Sequence, residues 1–213
     1  MRVVYAIPEH REFMHTGSPS EPILAEAAGR HLNYPYDRGG IERQGPEILA
    51  KACEKGLLAK GERGELCGRL LVTIAHDIAL KHRHSLSEAV DGHPHNPYFH
   101  RPVHVLDFLC ALFTEDFHDV ILNAHSVTAK EDLPTLGTAF ATSYIFFSHF
   151  ALAEDTRMLS ASNLAIALLR GMALQAKDNQ KSIDAVIPVH MGPPDMSISP
   201  KSTSAINLQF KNR

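Results

Sequence analysis

The chain has few cysteines, no long apolar run and no large excess of either charge. Its three cysteines, Cys53, Cys67 and Cys110, are odd in number and far apart along the chain. This spacing excludes a disulfide framework and a CxxC metal-binding knuckle. We therefore expect buried, reduced thiols in an intracellular protein of the cytoplasm or nucleus.

Apolar runs long enough to cross a membrane are also missing. No stretch approaches the roughly 18 apolar residues of a spanning helix. The longest candidate, residues 144–152, is interrupted by Ser148 and His149. The N-terminal run Val3–Ile7 is too short for the apolar region of a signal peptide. The sequence therefore predicts no membrane partner.

Neither charge dominates the composition. The 213 residues are 44% hydrophobic and 21% charged, with a net charge of −3. This balance is typical of a globular protein, and we predict a single domain over residues 1–213. A dedicated nucleic-acid binder is usually strongly basic, because phosphate neutralisation supplies much of its affinity. ATP binding through a P-loop is not expected, since the glycine-rich segment 61–64 lacks the GxxxxGK[ST] motif.

The first part of the chain carries the patterns of six helices. The clearest pattern has leucine or isoleucine at every fourth residue from Leu66 to Ile78, which predicts an amphipathic helix. Serine residues before the first and the last helix are predicted N-caps. The expected helices follow Ser20, run from Pro46 to Gly56, follow Gly64, run from Val105 to Phe113, from Leu133 to Leu152, and from Ser160 to Gly171.

After Gly171 the pattern changes to the alternation of apolar and polar residues that strands show. The connecting loops are too short for crossover helices, which predicts an antiparallel meander. Pro188 lacks a backbone donor and indicates an edge or an end of its strand. The predicted fold class is α+β, with a mainly helical region 1–171 and a small antiparallel three-stranded sheet in region 172–213. The expected strands are residues 172–176, 183–189 and 205–211.

Polar side chains of the last two strands fall on one face. Gln209 and Lys211 project together, away from the apolar Leu208 and Phe210, because alternate residues of a strand share a face. Asp184 is expected on the same face if the two strands share a sheet. Oxygen ligands of this kind suit Mg²⁺, whose bound water can attack a phosphodiester while a lysine stabilises the developing charge.

The C-terminal strands resemble the PD-(D/E)XK superfamily of restriction-endonuclease-like nucleases. The resemblance rests on Ile183-Asp184 and on Gln209-Phe210-Lys211, in an antiparallel strand pair preceded by a helix. Over most of its length the chain also resembles a group of large, uncharacterised fungal multidomain proteins. Some of these join an ATPase region to such a module. The stretches that carry this second resemblance are Ser20–Ala28, Arg63–Leu66 and Gln209–Arg213.

The resemblance implies a metal-dependent nuclease-like module that acts on nucleic-acid phosphodiesters, with Mg²⁺ or Mn²⁺ as cofactor. Asp184 matches the metal-binding Asp of the second strand, and Lys211 matches the lysine that stabilises charge. Gln209 occupies the position of an acid, where it would ligate the metal weakly or orient water. Glu65 is the candidate for the helix acid that completes the metal site. The superfamily core continues with a further helix and strand, which implies a truncation after Arg213.

Alternative interpretations of these residues stay open. Glu65 could pair with Arg69 one turn along its helix, and Glu21 and Glu26 are rival helix acids. The polar strand face could simply face solvent. The chain would then be a degenerate nuclease or a non-catalytic interaction or scaffold domain of a multidomain protein.

A cluster of histidines is the second candidate site. Histidines this close together could bind zinc, but their spacing matches no standard zinc motif. Three prolines in the same segment favour a stiff surface loop. The histidines are His93, His95, His100 and His104.

Overall fold

The structure is a computed structural model that describes residues 3–33, 40–86, 99–127, 133–177 and 182–211. Its α-helices are α1 (Glu21–Asn33), α2 (Gly40–Glu54), α3 (Lys60–Leu86), α4 (Val105–Leu112), α5 (His118–Leu122), α6 (Leu136–Ala139) and α7 (Ala161–Leu169). Its strands are β1 (Val3–Ala6), β2 (His15–Gly17), β3 (Val103–His104), β4 (Tyr144–Ile145), β5 (His149–Leu152), β6 (Met172–Gln175), β7 (Ala185–His190) and β8 (Thr203–Leu208).

Strand β7 is the centre of a six-stranded mixed sheet. Along one edge it pairs antiparallel with β8 over its whole length. Its other edge pairs antiparallel with β6 at the start and with β4 at the end. Strand β3 joins β4 antiparallel, whereas β5 joins β6 in parallel after the connecting helix α7. Strands β1 and β2 form a separate antiparallel pair.

This sheet corrects the predicted three-stranded antiparallel sheet confined to region 172–213. The three expected strands exist as β6, β7 and β8, but β3, β4 and β5 come from the region predicted to be helical. The helix expected over 133–152 is instead the short α6 followed by β4 and β5. An apolar run of this kind fits helix and strand equally well. Strands of two and four residues are also too short to show alternation. The α+β class itself is consistent with the structure.

Two apolar cores lie on opposite faces of the sheet. One face packs against α3 and α4, and its core includes Val72, Phe108 and Ile187. The other face packs against α7, with Leu164 and Val186 in its core. Adjacent residues of β7 point to opposite faces, so every residue of this strand is buried.

Pro188 lies inside the sheet, contrary to the predicted edge or end position. Towards β8 it pairs with Ala205. On the opposite edge β6 pairs with Ala185 and Val186, and β4 begins to pair only at Val189. Among the described residues, Pro188 therefore sits where one neighbour has ended and the next has not begun. A missing N–H is tolerated at such a gap.

The predicted helix caps and breaks are confirmed around α7. Ser160 is its N-cap, and its hydroxyl accepts a hydrogen bond from the Asn163 backbone N–H. Gly171 follows the helix with a φ of 63°, a conformation that glycine adopts without a steric penalty. The turn at Gly171 leads the chain directly into β6. None of the described helices is long and apolar enough to cross a membrane.

Candidate functional site

Asp184 lies immediately before β7, beside the end of β8. Its backbone N–H donates to the Leu208 carbonyl at 2.8 Å, and its Oδ2 accepts from the Phe210 N–H at 2.5 Å. Both bonds flank Gln209, which places Asp184 and Gln209 opposite one another where the strand pair ends. The structure therefore places the backbones of Asp184 and Gln209 side by side, and the proximity of their side chains stays a prediction.

Gln209 and Lys211 are exposed, whereas their neighbours Leu208 and Phe210 pack against the core beneath α3. By strand alternation Gln209 points away from α3. The polar face expected for the last strand exists, although β8 itself ends at Leu208.

Glu65 lies on α3, on the other side of the sheet. Its Oε2 accepts from Gln175 Nε2 at 3.0 Å, and the Gln175 Oε1 accepts in turn from the Arg69 guanidinium. Gln175 therefore bridges two residues of α3 that are one turn apart. This amide bridge stands in place of a direct Glu65–Arg69 pair. Among the described residues, the hydrogen bond of the Glu65 side chain is to Gln175 and not to Asp184 or Gln209.

The donor set restricts what metal this sheet end could hold. No group of three or more His, Cys, Asp or Glu side chains suited to a metal ion occurs in the described part of the chain. Asp184 and Gln209 offer one carboxylate and one amide oxygen. Mg²⁺ can use so few protein ligands only when substrate phosphates and water complete its shell. Asp184 and Gln209 alone would therefore need further oxygen ligands to hold such a cation.

The predicted histidine cluster is only partly described by the structure. His93 and His95 lie outside the described residues. His100 Nδ1 contacts Glu26 Oε2 at 2.7 Å, whereas His104 Nε2 contacts the Tyr144 hydroxyl at 2.8 Å. His100 and His104 therefore make hydrogen bonds to different residues.

Glu26, one of the rival helix acids, fixes the chain at residues 99 and 100. Its Oε2 accepts from the backbone N–H groups of Phe99 and His100, and its Oε1 accepts from Arg30. Burial raises the pKa of Glu26, but the hydrogen bonds from His100 and Arg30 outweigh it and leave this pKa below its ordinary value. The role visible here is structural.

The cysteines are free thiols, as predicted, but not all are buried. Cys67 is exposed, which contradicts the expected burial, while Cys53 and Cys110 are half-buried. Burial raises the pKa of the Cys110 thiol, and the nearby Asp107 adds to this effect. Cys53 and Cys67 both line an apolar groove between α2 and α3.

A cavity of about 180 Å³ lies between α1, α3 and the segment 147–150. Apolar groups form most of its wall, including three aromatic rings. Helix α3 contributes the side chains of His76 and Asp77, which are only 3% and 5% exposed. Buried His and Asp side chains are uncommon unless they are paired. The wall of the cavity includes Ala25, Glu26, Thr73, His76, Asp77, Phe99, Phe147, Ser148, His149 and Phe150.

The His76 imidazole is only partly satisfied. Its Nδ1 lies 3.5 Å from Asp77 Oδ1, and its ring lies 4.6 Å from the Phe147 ring, centre to centre. Its Nε2 is buried and has no hydrogen-bond partner among the described residues. An unsatisfied buried polar atom of this kind costs about 1–3 kcal/mol, so native proteins seldom retain one.

Asn33 completes the polar group on α3. Its Nδ2 donates to Asp77 Oδ2 and to the Gly29 carbonyl, each at 3.0 Å. Asp77 is thus held from the far side by an amide donor. These polar contacts form a chain from Asn33 of α1 through Asp77 to His76, whose side chain lines the cavity.

No family model, curated protein or solved structure matches this chain. Its function is therefore inferred from its own residues.

The buried pair His76 and Asp77 was not predicted from the sequence. The apolar stripe from Leu66 to Ile78 indicated the core-facing side of α3, but the most buried part of the helix includes His76 and Asp77. A His-Asp pair between Ala75 and Ile78 breaks an otherwise apolar stretch. That interruption was the available signal, because a polar pair inside an apolar helix segment needs an internal partner.

Proposed function

We propose that the chain binds a small, neutral, largely apolar organic molecule in the cavity between α1 and α3, with His76 as its polar anchor. The observation that carries the proposal is His76, whose side chain lines the cavity and whose buried Nε2 has no hydrogen-bond partner in the part of the chain that the structure describes. Apolar walls with one well-placed polar group are the usual composition of a small-molecule site.

The size of the cavity limits the ligand. Its volume is about 180 Å³, somewhat above the roughly 150 Å³ of an apolar cavity that accommodates benzene. Phe99, Phe147 and Phe150 supply aromatic surface, against which a flat ring can pack edge-to-face or offset. A single substituted ring, or an aliphatic molecule of similar size, fits this space.

The charges around the cavity favour a neutral ligand. Its described wall residues include no Lys or Arg but do include the acidic residues Glu26 and Asp77. An anion would therefore enter without a counter-charge, at a high desolvation cost. Burial lowers the pKa of His149, despite an opposing effect of Glu21. This wall residue is therefore uncharged near neutral pH.

Titration with simple aromatic probes tests the proposal. Benzene, toluene and phenol would be added to the isotope-labelled chain, and backbone and methyl NMR shifts would be followed. We expect saturable shifts at Thr73, Phe147 and their neighbours. The absence of saturable binding by all three probes would contradict the proposal and would indicate a cavity that holds only water.

Two matched variants locate the binding. Ala25→Leu fills the proposed cavity, whereas Ala50→Leu places the same side chain in the apolar groove between α2 and α3. We expect Ala25→Leu to weaken probe binding at least about tenfold, since the probe volume is lost. Ala50→Leu should leave it unchanged. The opposite pattern would assign the probes to the groove.

A metal-dependent nuclease-like activity is our second proposal, and the Asp184–Gln209 pair is the observation that favours it. Together with phosphate oxygens of a nucleic acid, these two side chains would hold Mg²⁺ or Mn²⁺, which would supply an activated water. Lys211, two residues beyond Gln209, would neutralise charge on the phosphate. A nucleic acid is the partner that this proposal requires.

Cleavage assays separate this activity from a scaffold role. Plasmid DNA and single-stranded RNA would be incubated with the chain and Mg²⁺, Mn²⁺ or a chelator. Asp184→Asn retains an acceptor for the Phe210 N–H but removes the charge, and Lys211→Ala removes the cation. Both should abolish metal-dependent cleavage, whereas the exposed controls Asp195→Asn and Lys201→Ala should not. Cleavage that survives both site variants would refute the assignment. A chain that never cuts and is unaffected by either substitution would favour the scaffold role.

A further inference from the structure

We infer that His76 Nε2 is a hydrogen-bond acceptor, and that the ligand is therefore a neutral alcohol or phenol that donates its hydroxyl hydrogen to this atom. The inference rests on the proposed function, since it assigns the chemical class of the ligand in the same cavity. It follows from the arrangement of the groups around the imidazole.

The Asp77 carboxylate determines which ring nitrogen carries the proton. An ionised carboxylate only accepts hydrogen bonds, and the ring nitrogen within hydrogen-bond distance of Asp77 Oδ1 is Nδ1, at 3.5 Å. Between the two tautomers of an uncharged imidazole, this favours the one with hydrogen on Nδ1 and a lone pair on Nε2. Asn33 donates to the second carboxylate oxygen, which keeps the carboxylate oriented as an acceptor.

Hydroxyl groups of the cavity wall are engaged elsewhere. Thr73 donates to the Arg69 carbonyl at 2.9 Å. The Ser148 hydroxyl lies 3.3 Å from the Gly171 carbonyl and 3.1 Å from His149 Nδ1. Neither hydroxyl contacts His76, and no other described residue donates to Nε2. A hydroxyl group of a bound molecule is therefore the donor that we infer for this atom.

A buried acceptor discriminates strongly between ligands. A molecule of the same size without a donor would leave Nε2 unpaired. The lost hydrogen bond corresponds to a roughly 5- to 150-fold weaker affinity. We expect phenol to bind more tightly than fluorobenzene, which has no donor, and than benzaldehyde, which offers only an acceptor.

Exchanging one oxygen of Asp77 for an amide group should change this preference. In Asp77→Asn the remaining oxygen can still accept from Asn33, so the amide NH₂ faces His76 Nδ1. The imidazole then accepts at Nδ1 and donates from Nε2. Phenol can accept such a bond as well as donate one, so its affinity should fall only modestly. Benzaldehyde should gain, and the preference for phenol over benzaldehyde should shrink or invert.

The experiment measures dissociation constants of phenol, fluorobenzene and benzaldehyde for the wild-type chain, Asp77→Asn and His76→Phe. We expect the preference for phenol in the wild type, its reversal or loss in Asp77→Asn, and equal affinities for phenol and fluorobenzene in His76→Phe. Binding of all three probes with no preference for phenol would overturn this inference while leaving the proposed function in place. Binding of none of them would overturn the proposed function and this inference with it.

A direct reading of the tautomer does not depend on the folding of any variant. The ¹⁵N chemical shifts of the His76 ring in the wild-type chain distinguish a protonated nitrogen from one with a lone pair. We expect hydrogen on Nδ1. Hydrogen on Nε2 in the ligand-free chain would overturn the inference, whatever the binding constants are.

Discussion

Gly68 of α3 lies directly against the ring of Phe210, which occupies the space that a Cβ at residue 68 would need. Phe210 follows β8, so this contact joins the end of the last strand to the first third of a long helix. The ring also packs against the core between α3 and the sheet. Residue 68 is therefore glycine for packing reasons, although glycine weakens a helix interior.

Gly68→Ala should destabilise the protein only while Phe210 is present. Alanine gains about 1 kcal/mol of helix propensity over glycine, but overpacking against the ring typically costs about 1–3 kcal/mol. In a Phe210→Ala background the clash is gone, so the same substitution should become stabilising by about 1 kcal/mol. Urea unfolding of the four proteins of this double-mutant cycle measures the coupling. Additive effects of the two substitutions would show that the contact is absent.

Asp184→Ala should loosen the end of β8, whereas Asp184→Asn should largely preserve it. The carboxylate accepts the Phe210 N–H, and a lost hydrogen bond to a charged group costs about 1.5–3 kcal/mol. Asparagine retains an acceptor oxygen and should lose less. Amide hydrogen exchange at Phe210 provides a local measurement. Fast exchange in Asp184→Ala alone is expected, and equal exchange in all three proteins would exclude the bond.

Lowering the pH should remove the contribution that the ionised Glu26 carboxylate makes to the stability of the folded protein. Desolvation raises the pKa of this carboxyl, but the hydrogen bonds from His100 and Arg30 lower it by a larger amount. The folded-state pKa therefore lies below the unfolded value near 4.5. The stabilisation is therefore present above the unfolded pKa and is lost as the pH falls through the folded pKa. In Glu26→Gln this titration is missing.

Unfolding free energies measured between pH 7 and pH 3 check this sign. The difference between wild type and Glu26→Gln should be largest at neutral pH and should shrink below about pH 4.5. Asp155→Asn is a useful comparison, because hydrogen bonds from Arg157 also lower the pKa of this carboxyl but it is exposed. Its effect should be smaller and should weaken with added salt. A constant difference across the pH range would show that Glu26 does not titrate as stated.

Ser160→Ala should destabilise α7 by about 0.5–2 kcal/mol, because the serine hydroxyl satisfies a free N–H at the start of the helix. Ser160→Asp should be nearly neutral, since aspartate is an equally good N-cap and favours the positive end of the helix dipole. Thermal unfolding of both variants measures the effect. Equal losses in the two variants would mean that the hydroxyl has no capping role.

The candidate site was only partly predictable. Strand alternation placed Gln209 on the polar face, and the structure brings Asp184 beside it through hydrogen bonds to the residues on either side. Glu65 was predicted to complete the same site, and its carboxylate contacts Gln175 of β6 in the structure. Sequence patterns report which face of an element a residue occupies, not which side of a sheet that element covers.

The sequence by itself determined the local elements whose signal lies within a few neighbouring residues. These include the long helix α3, the capped helix α7 with its glycine stop, and the three alternating strands from Met172 onwards. Each depends on periodicity, capping or backbone preference, which neighbouring residues specify.

Only the tertiary structure decided the rest. The two-residue strand at Tyr144–Ile145 exists because β3 and β7 pair with it, and β5 is a strand because β6 pairs with it in parallel. The burial of His76 and Asp77 likewise depends on α1 and the segment 147–150, which close the cavity around α3. Short strands and buried polar groups are stabilised by partners distant in sequence, so their place is settled only when those partners pack together.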